Sequence, residues 1–538
     1  MARNVLFIMA DQLRWDYLSC YGHPHLQTPN IDALAARGVR FTNAYVQSPF
    51  CGPSRMSTYT GRYCRSHGST WNGIPLRVGE RTIGDHLRQI GVRPVIVGKT
   101  HMRPDVEGME WLGIDPASEI GVTLAECGFE PFERDDGLHP RGYDDAPEYN
   151  RWLNERGIGG ENPWNDRANS ARGDDGERLT GWLLKHSNRA ADIPEELSET
   201  PYMTTRAMEF MEAAGEGPWL CHLSYIKPHW PYIVPAPYHD MYGAAHVVPP
   251  VRAEAERETD HPVFRAYQQS RICRTFARDE VRERVIPAYM GLIRQIDDQL
   301  GRLFAFMEAR GLMEETMIVF TSDHGDYLGD HWMGEKDLFH DCSVKVPLIV
   351  ADPRAGAARG AVSDALVEAI DLAPTFLSFF GGAPKPHILE GRDLSPLLRG
   401  EAPGDWRAYA VSEYDYATRE ARKVLGTAGD ASQLFMVRDA RWKYVHAEGF
   451  RPMLFDLERD PDELEDLGAS GDAEHAAVRA RMAGALFAWA RRHHSRVTVT
   501  PERLDSMLAS DDTEGIVIGV WDEAEFARLN GRPVGPRD

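Results

Sequence analysis

Polar side chains that can bind metals, move protons or hold anions follow four short apolar segments of this chain. Carboxylate, amide, ammonium and imidazole groups all occur directly after segments that look like buried strands. Because the carboxyl ends of parallel strands share one edge of a sheet, we expect these groups to converge there. The polar segments are Asp11-Gln12, Gly98-Lys99-Thr100-His101, Lys227-Pro228-His229 and Ser322-Asp323-His324-Gly325-Asp326.

Two of these segments have the composition of a metal site. Asp11, Gln12, Asp323 and His324 offer two carboxylates, an amide oxygen and an imidazole. Carboxylate and amide oxygens suit hard divalent cations, whereas an imidazole shifts the preference toward a transition metal such as manganese. Asp323-His324-Gly325 alone could be a helix cap followed by a turn. Asp11-Gln12 offers matching ligands at another strand end, and this favours the metal site.

Lysines, histidines and one cysteine are candidates for the remaining chemistry. A single Lys such as Lys99 or Lys336 is by default a solvated surface charge. His101 and His229 differ because each lies two residues after a Lys at a strand end. Cys51, in the run Cys51-Gly52-Pro53-Ser54-Arg55, could be no more than a buried or incidental cysteine near a turn if this run is considered alone.

The elements that would position these groups form an α/β pattern. Short apolar runs bounded by polar turns are typical of strands buried on both faces, and helical patterns at Asp32 to Arg37 and Tyr289 to Leu303 lie between them. Alternating strands and helices predict a mostly parallel sheet flanked by helices. The predicted strands are Val5 to Met9, Val95 to Val97, Leu220 to Tyr225, Met317 to Thr321 and Pro347 to Val350.

Two domains are expected from the change of pattern along the chain. Residues 1–420 would form the catalytic α/β domain, in which the polar stretch 103–200 surrounds the site as an insertion or is partly mobile. Residues 421–538 would form a smaller α+β domain on an antiparallel sheet, with a tail that includes Ile516-Val517-Ile518. The apolar run and acidic segments of that tail predict a contact with another subunit, in a homodimer or homotetramer.

Composition narrows the class of function. The chain has 538 residues, 42% of them hydrophobic and 26% charged, which is ordinary for a globular protein. A formal net charge of -22 argues against nucleic-acid binding, which needs a basic patch. The apolar run near the amino terminus is too short for a signal peptide or a membrane helix. Seven cysteines without paired spacing indicate a reducing compartment, so we expect a cytoplasmic protein with no membrane partner.

The ordered motifs resemble those of the sulfatase branch of the alkaline phosphatase superfamily. The resemblance covers about residues 3–470 and implies an alkaline-phosphatase-like fold. It is carried by Asp11-Gln12, Cys51-Gly52-Pro53-Ser54-Arg55 with Thr60-Gly61, Gly98-Lys99-Thr100-His101, Lys227-Pro228-His229, Asp323-His324-Gly325, Gly334-Glu335-Lys336, Asp371-Leu372-Ala373-Pro374-Thr375 and Leu389-Glu390-Gly391-Arg392-Asp393-Leu394.

The resemblance implies a modified nucleophile and a metal cofactor. A formylglycine-generating enzyme would convert Cys51 to 3-oxoalanine (formylglycine), whose hydrate attacks the sulfur or phosphorus centre of a small anionic ester. The second hydroxyl of the hydrate can then expel the esterified one by elimination from the sulfo-enzyme hemiacetal. One divalent ion, Ca²⁺ or Mn²⁺, would be bound by Asp11, Gln12, Cys51, Asp323 and His324.

The same resemblance implies roles for the other polar groups. Arg55 would hold the aldehyde hydrate and offset its charge, and His101 would act as the general base during elimination. Lys99 and Lys336 would bind ester oxygens, and His229 would protonate the leaving alkoxide or lie beside it. Asn72, which follows the nucleophile helix, is a weaker candidate for substrate binding.

Two pairs of residues favour different substrates. Gln12 and His324 replace an acid and an asparagine found in many sulfatases, and both resemble the phosphonate monoester and phosphodiester hydrolases. Lys99 and His101 instead match sulfatases. Our leading hypothesis is hydrolysis of aryl or small alkyl sulfates, with phosphonate and phosphodiester hydrolysis as side activities. The alternatives are that these side activities are the main ones, or that the protein is a catalytically silent metal-binding relative.

Overall fold

A large mixed sheet forms the centre of the protein. The computed structural model describes residues 3–141, 147–492, 496–508 and 519–530. Within them the strands are β1 (Asn4–Asp11), β2 (Val39–Tyr45), β3 (Arg93–Gly98), β4 (Glu130–Arg134), β5 (Ser170–Arg172), β6 (Arg178–Thr180), β7 (Trp219–Pro228), β8 (Thr316–Thr321), β9 (Lys345–Ala351), β10 (Ala361–Ser363), β11 (Val367–Glu368), β12 (Ala410–Asp415), β13 (Gln433–Arg438), β14 (Trp442–Ala447) and β15 (Met453–Asp456).

Helices flank this sheet and pack against the second, smaller one. In chain order they are α1 (Pro29–Arg37), α2 (Cys51–Thr60), α3 (Cys64–His67), α4 (Ile83–Arg88), α5 (Val106–Trp111), α6 (Glu119–Ala125), α7 (Glu148–Glu155), α8 (Glu199–Ala213), α9 (Pro262–Gln268), α10 (Arg271–Phe276), α11 (Asp279–Ala309), α12 (Asp341–Val344), α13 (Leu372–Phe379), α14 (Ser395–Leu398), α15 (Glu420–Leu425), α16 (Ala473–Ala490), α17 (Pro501–Ser506) and α18 (Glu523–Asn530).

The strand order of the central sheet is β10-β2-β9-β8-β1-β7-β3-β4, and β11 also pairs with β2. Strand β1 is parallel to its neighbours β7 and β8, so their carboxyl ends meet at one edge. All eight residues of β1 are buried. Its odd-numbered apolar residues belong to one core cluster and its even-numbered ones to the other, so both faces of the sheet are covered.

The predicted fold class is confirmed, with two local differences. Strand β9 contains the predicted Pro347 to Val350 but runs antiparallel to β8 and β2. The polar stretch 103–200 contains an edge strand, β4, which pairs with β3 and is only partly buried. A half-exposed edge strand lacks the apolar run that identifies a central strand, and this is why the sequence pattern missed it.

A separate antiparallel sheet, in the order β12-β13-β14-β15, follows the central one. Its first strand begins at Ala410, ahead of the expected boundary at residue 420. Helix α16 packs on it through Met482, Leu486 and Trp489. The run Ile516-Val517-Ile518 lies outside the described residues. In the described part of the chain, no helix combines the length and apolarity needed to cross a membrane.

Asp297 of α11 caps α1 from a position far away in sequence. Thr28, at the N-cap position of α1, makes no side-chain capping bond, and the backbone amides of Asn30 and Ile31 donate instead to Asp297 Oδ1 at 3.0 and 2.8 Å. Asp297→Ala would leave these amides without a partner. We therefore expect it to lower the free energy of unfolding by about 2 kcal/mol, measured by urea unfolding.

Glu308→Ala is the matched control, because Glu308 is an exposed residue of the same helix. It should leave the urea midpoint within experimental error of the parent. Equal midpoints for both variants would show that the long-range cap contributes nothing.

Candidate functional site

Cys51 is the first residue of a wholly buried helix that points its amino terminus at the site. Every residue of α2 from Cys51 to Thr60 is buried. The amide of Gly52 donates to Asn72 Oδ1 at 2.7 Å, and a Cβ at Gly52 would lie 2.5 Å from the same oxygen. Only glycine therefore lets Asn72 lie this close to the backbone beside Cys51. The partial positive charge of the helix amino terminus favours an anion at this position.

Four side chains from three segments converge into one possible metal site. One ligand atom each of Asp11, Cys51, Asp323 and His324 lies within 4.8 Å of all the others, and all four residues are buried. Cys51 Sγ lies 3.0 Å from His324 Nε2. The Nδ1 atom of His324 faces the carbonyl of Gly325 at 2.9 Å, which directs Nε2 at the cluster. Two buried carboxylates and an imidazole are a donor set that fits one divalent cation.

Arg55 binds the outer oxygens of both carboxylates. Its Nε atom lies 2.8 Å from Asp323 Oδ2, and its Nη2 atom lies 3.1 Å from Asp11 Oδ2. The Oδ1 atoms of both acids remain on the side of Cys51 and His324. Arg55 therefore lies behind the cluster and orients it, while its predicted direct contact with the aldehyde hydrate stays a prediction.

Two buried ammonium groups make the position of Cys51 electropositive. Lys336 Nζ lies 3.3 Å from Cys51 Sγ, and Lys99 Nζ lies 2.5 Å from Asp11 Oδ2. Burial alone would raise the pKa of the Cys51 thiol, but Lys336, His324 and Lys99 outweigh it and hold that pKa well below its ordinary value. The surrounding charges thus favour an anion where the Sγ atom lies.

Gln12 and His229 meet at the ammonium group of Lys336. Lys336 Nζ donates to Gln12 Oε1 at 2.8 Å and lies 3.4 Å from His229 Nε2. The Nδ1 atom of His229 faces the carbonyl of Trp230 at 2.8 Å. Burial, the largest effect, lowers the pKa of His229. In this arrangement the side-chain oxygen of Gln12 is bound to Lys336, and its predicted role as a metal ligand stays a prediction.

His101 lies in the loop between β3 and α5. Its φ of 56° lies in the left-handed region, and its amide donates to Asp136 Oδ1 at 2.8 Å. The nearby imidazole is among the groups that lower the pKa of the Cys51 thiol. The structure thus brings all eleven predicted site residues to one edge of the central sheet. They are Asp11, Gln12, Cys51, Arg55, Asn72, Lys99, His101, His229, Asp323, His324 and Lys336.

Residues outside the predicted set complete the surroundings. Ser224, inside strand β7, accepts a hydrogen bond from Arg55 Nη1 at 2.8 Å. Tyr232 donates to Asp326 Oδ2 at 2.7 Å, and the same carboxylate accepts from the Gln12 amide. Burial raises the pKa of Asp326 to about 6. Asp326 already belonged to a recognised polar segment, whereas Ser224 and Tyr232 have no distinguishing signal in the sequence.

The backbone around Lys336 is held in an unusual conformation. Glu335 and Asp337, on either side of it, have φ values of 65° and 115°. Tyr414, from β12 of the second sheet, donates to Asp337 Oδ1 at 2.7 Å. The ring of Phe50 lies 5.4 Å from the Lys336 ammonium. Such strained positions persist where surrounding contacts fix them, and here they aim Lys336 at Cys51.

Similarity to known proteins agrees with this geometry. The Sulfatase family model matches residues 3–383, and the model of the N-sulphoglucosamine sulphohydrolase C-terminal region matches residues 329–491. The multifunctional alkaline phosphatase superfamily protein PehA of Trinickia caryophylli is 31% identical over 92% of this chain and 96% of its own length. An arylsulfatase of Clostridium perfringens is 26% identical over 87% of this chain and 90% of its own.

Solved structures of phosphonate monoester hydrolases share the whole architecture. The enzyme of Silicibacter pomeroyi superposes with a TM-score of 0.80 at 31% identity, covering 93% of this chain and 98% of its own. The enzyme of Agrobacterium radiobacter gives a TM-score of 0.79 at 30% identity, covering 93% and 99%. With the family model spanning most of the chain, and with these matched folds, the protein belongs to the sulfatase family of the alkaline phosphatase superfamily.

Proposed function

We propose that this protein is a formylglycine-dependent and metal-dependent hydrolase of sulfate monoesters, with aryl or small alkyl sulfates as its main substrates. Phosphonate monoesters and phosphodiesters would be slower substrates. The observation that carries the proposal is a pair of buried ammonium groups, Lys99 and Lys336, beside the cluster of Asp11, Cys51, Asp323 and His324.

The enclosed position of Lys99 favours the sulfate group. A sulfate monoester offers three non-bridging oxygens, whereas a phosphonate monoester offers two and a carbon substituent in the third position. Lys99 is completely buried and already pairs with Asp11, so a carbon substituent placed against its ammonium would offer that charge no further acceptor, whereas a sulfate oxygen would. Sites built to hydrogen-bond a polar group discriminate strongly against analogues that lack it. Charge alone does not discriminate, because both esters carry about one negative charge.

The residues present support the roles expected from the family. Cys51, as formylglycine, would be the nucleophile at the helix amino terminus, and Lys336 would offset charge on the attacked group. His101 would take the proton that is released when the ester bond to residue 51 breaks, and His229 would lie beside the leaving oxygen. Asp11, Gln12, Asp323 and His324, with residue 51, would hold one Ca²⁺ or Mn²⁺, which supplies Lewis-acid stabilisation of the transferred group.

A second candidate has specific observations in its favour. Gln12 and His324 resemble the phosphonate monoester and phosphodiester hydrolases, and two such hydrolases have TM-scores of 0.80 and 0.79 with this chain. In this candidate the same Cys51 chemistry acts mainly on phosphorus. Direct comparison of matched substrates separates the two.

The first experiment tests Cys51 itself. After coexpression with a formylglycine-generating enzyme, mass spectrometry of the Cys51 peptide should show H₂S replaced by O. The peptide that contains Cys64 should keep its thiol, because Cys64 lies in α3, outside the site. Cys51→Ala should lower kcat/KM at least about a thousandfold, since the nucleophile is lost. Full activity of protein whose Cys51 remains a thiol would contradict the mechanism.

The second experiment compares para-nitrophenyl sulfate with para-nitrophenyl phenylphosphonate. The sulfate should have the higher kcat/KM, and Lys99→Ala should reduce the sulfate-to-phosphonate ratio of kcat/KM by about tenfold, because only the sulfate places an oxygen against Lys99. Lys423→Ala removes an exposed ammonium elsewhere and should leave the ratio unchanged. A parent enzyme that strongly prefers the phosphonate would make phosphorus esters the main substrates.

We also propose that the carboxyl-terminal segment packs against another copy of this chain. Leu508 and Trp521 are 85% and 89% exposed, which is unusual for such large apolar side chains. Light scattering should give the mass of a dimer or tetramer for the full chain and a smaller mass after removal of residues 496–538. A full-length monomer would refute the contact.

A further inference from the structure

A cavity of about 810 Å³ lies between residues 181–185 and the helices α10 and α11. Aromatic and aliphatic side chains form most of its wall, including Trp182, Leu184 and Phe276. Trp182 is 37% exposed, which is high for its size. Cavities of this size, with apolar walls and few polar groups, are typical sites for small organic ligands.

The cavity shares a wall with the candidate active site. Trp230, which lines it, follows His229 in the chain, and the two ring centroids are 4.3 Å apart. Tyr232, another lining residue, donates to Asp326 beside Gln12. Glu335, on the same wall, directly precedes Lys336. Trp230, Tyr232 and Glu335 therefore place the cavity next to the His229 side of the candidate site.

The charged side chains that line the cavity are mostly positive, although the protein as a whole is acidic. Four cations, Lys185, Arg271, Arg278 and Arg284, line the cavity with only two acids, Glu280 and Glu335, although the chain has a formal net charge of -22. All four cations are exposed.

One of these cations, Arg278, is paired with Glu280 at 3.2 Å. In the described part of the chain, no ion pair involves Lys185 or Arg271. On a protein this acidic, surface cations at random positions would be expected to pair with acids. Unpaired cations beside an apolar cavity instead suit an anionic ligand.

We propose that this cavity binds the alcohol part of the ester, and that the preferred alcohol is aromatic and carries an anionic group such as a carboxylate. The proposal rests on the ester hydrolysis proposed above. Trp182 and Trp230 would contact the aromatic body, and Lys185 and Arg271 would attract the remote anion.

A pair of substrates matched in shape and differing in charge tests the anionic group. The pair is phenyl sulfate bearing a carboxymethyl substituent and the methyl ester of the same compound, whose leaving groups are electronically alike. The parent should prefer the anionic substrate in kcat/KM, and combined Lys185→Glu and Arg271→Glu should reduce that preference by about tenfold. Arg274→Glu, an exposed residue of α10 outside the cavity lining, should leave it unchanged. Equal kcat/KM for both substrates with the parent would overturn the proposal.

A binding measurement separates this proposal from hydrolysis. The free alcohol, carboxymethylphenol, should bind the parent by calorimetry and lose about tenfold in affinity in the Lys185→Glu and Arg271→Glu variant. Trp182→Ala should weaken the same binding, while Trp111→Ala, a change at an exposed residue remote from the lining, should not. Binding without sulfate hydrolysis would reject only the proposed reaction. Hydrolysis together with unaltered binding in every cavity variant would reject the cavity as the binding site of the alcohol.

Discussion

The guanidinium of Arg55 is the constraint on which the site depends. It is fully buried and joins the Oδ2 atoms of Asp11 and Asp323, which stand at the ends of the adjacent parallel strands β1 and β8. Two carboxylates this close would repel each other in a low-dielectric interior, and burying either one alone would be costly. Arg55 offsets both charges while leaving the Oδ1 atoms directed at Cys51 and His324. The same helix that begins with Cys51 therefore also fixes the groups that surround it.

The second sheet helps to position Lys336, although none of its residues belongs to the candidate metal site. Tyr414 of β12 and Arg419, which follows it, both bind Asp337 next to Lys336. The neighbouring backbone has positive φ at non-glycine residues, which such contacts must stabilise. Lys336 is thus positioned by the interface between the two sheets. The second sheet therefore fixes the backbone on which Lys336 depends.

The sequence predicts the parts of this arrangement that arise from strong local patterns. Buried parallel strands have continuous apolar runs, so β1, β7 and β8 and the polar groups after them were recognisable, and parallel topology implied that they meet. Strand β4 could not be found in this way because it is a half-exposed edge. Ser224 and Tyr232 could not be found either, because only the folded chain brings them next to the site. In both carboxylates, Oδ2 contacts Arg55 and Oδ1 faces the cluster. This arrangement depends on atomic positions that the spacing of residues in the sequence does not specify.

In the proposed reaction, specificity can be separated into an acid side and an alcohol side. On the acid side, Lys99 and Lys336 are enclosed, so their effect on a bound oxyanion is little screened by salt or water. On the alcohol side, the cations at the mouth of the cavity are exposed, and each can add only a modest attraction. The enclosed pair should therefore determine which acid is transferred, and the exposed cations should rank alcohols within that class. If different residues on different elements carry the two preferences in this way, the family fold could change either preference without altering the other.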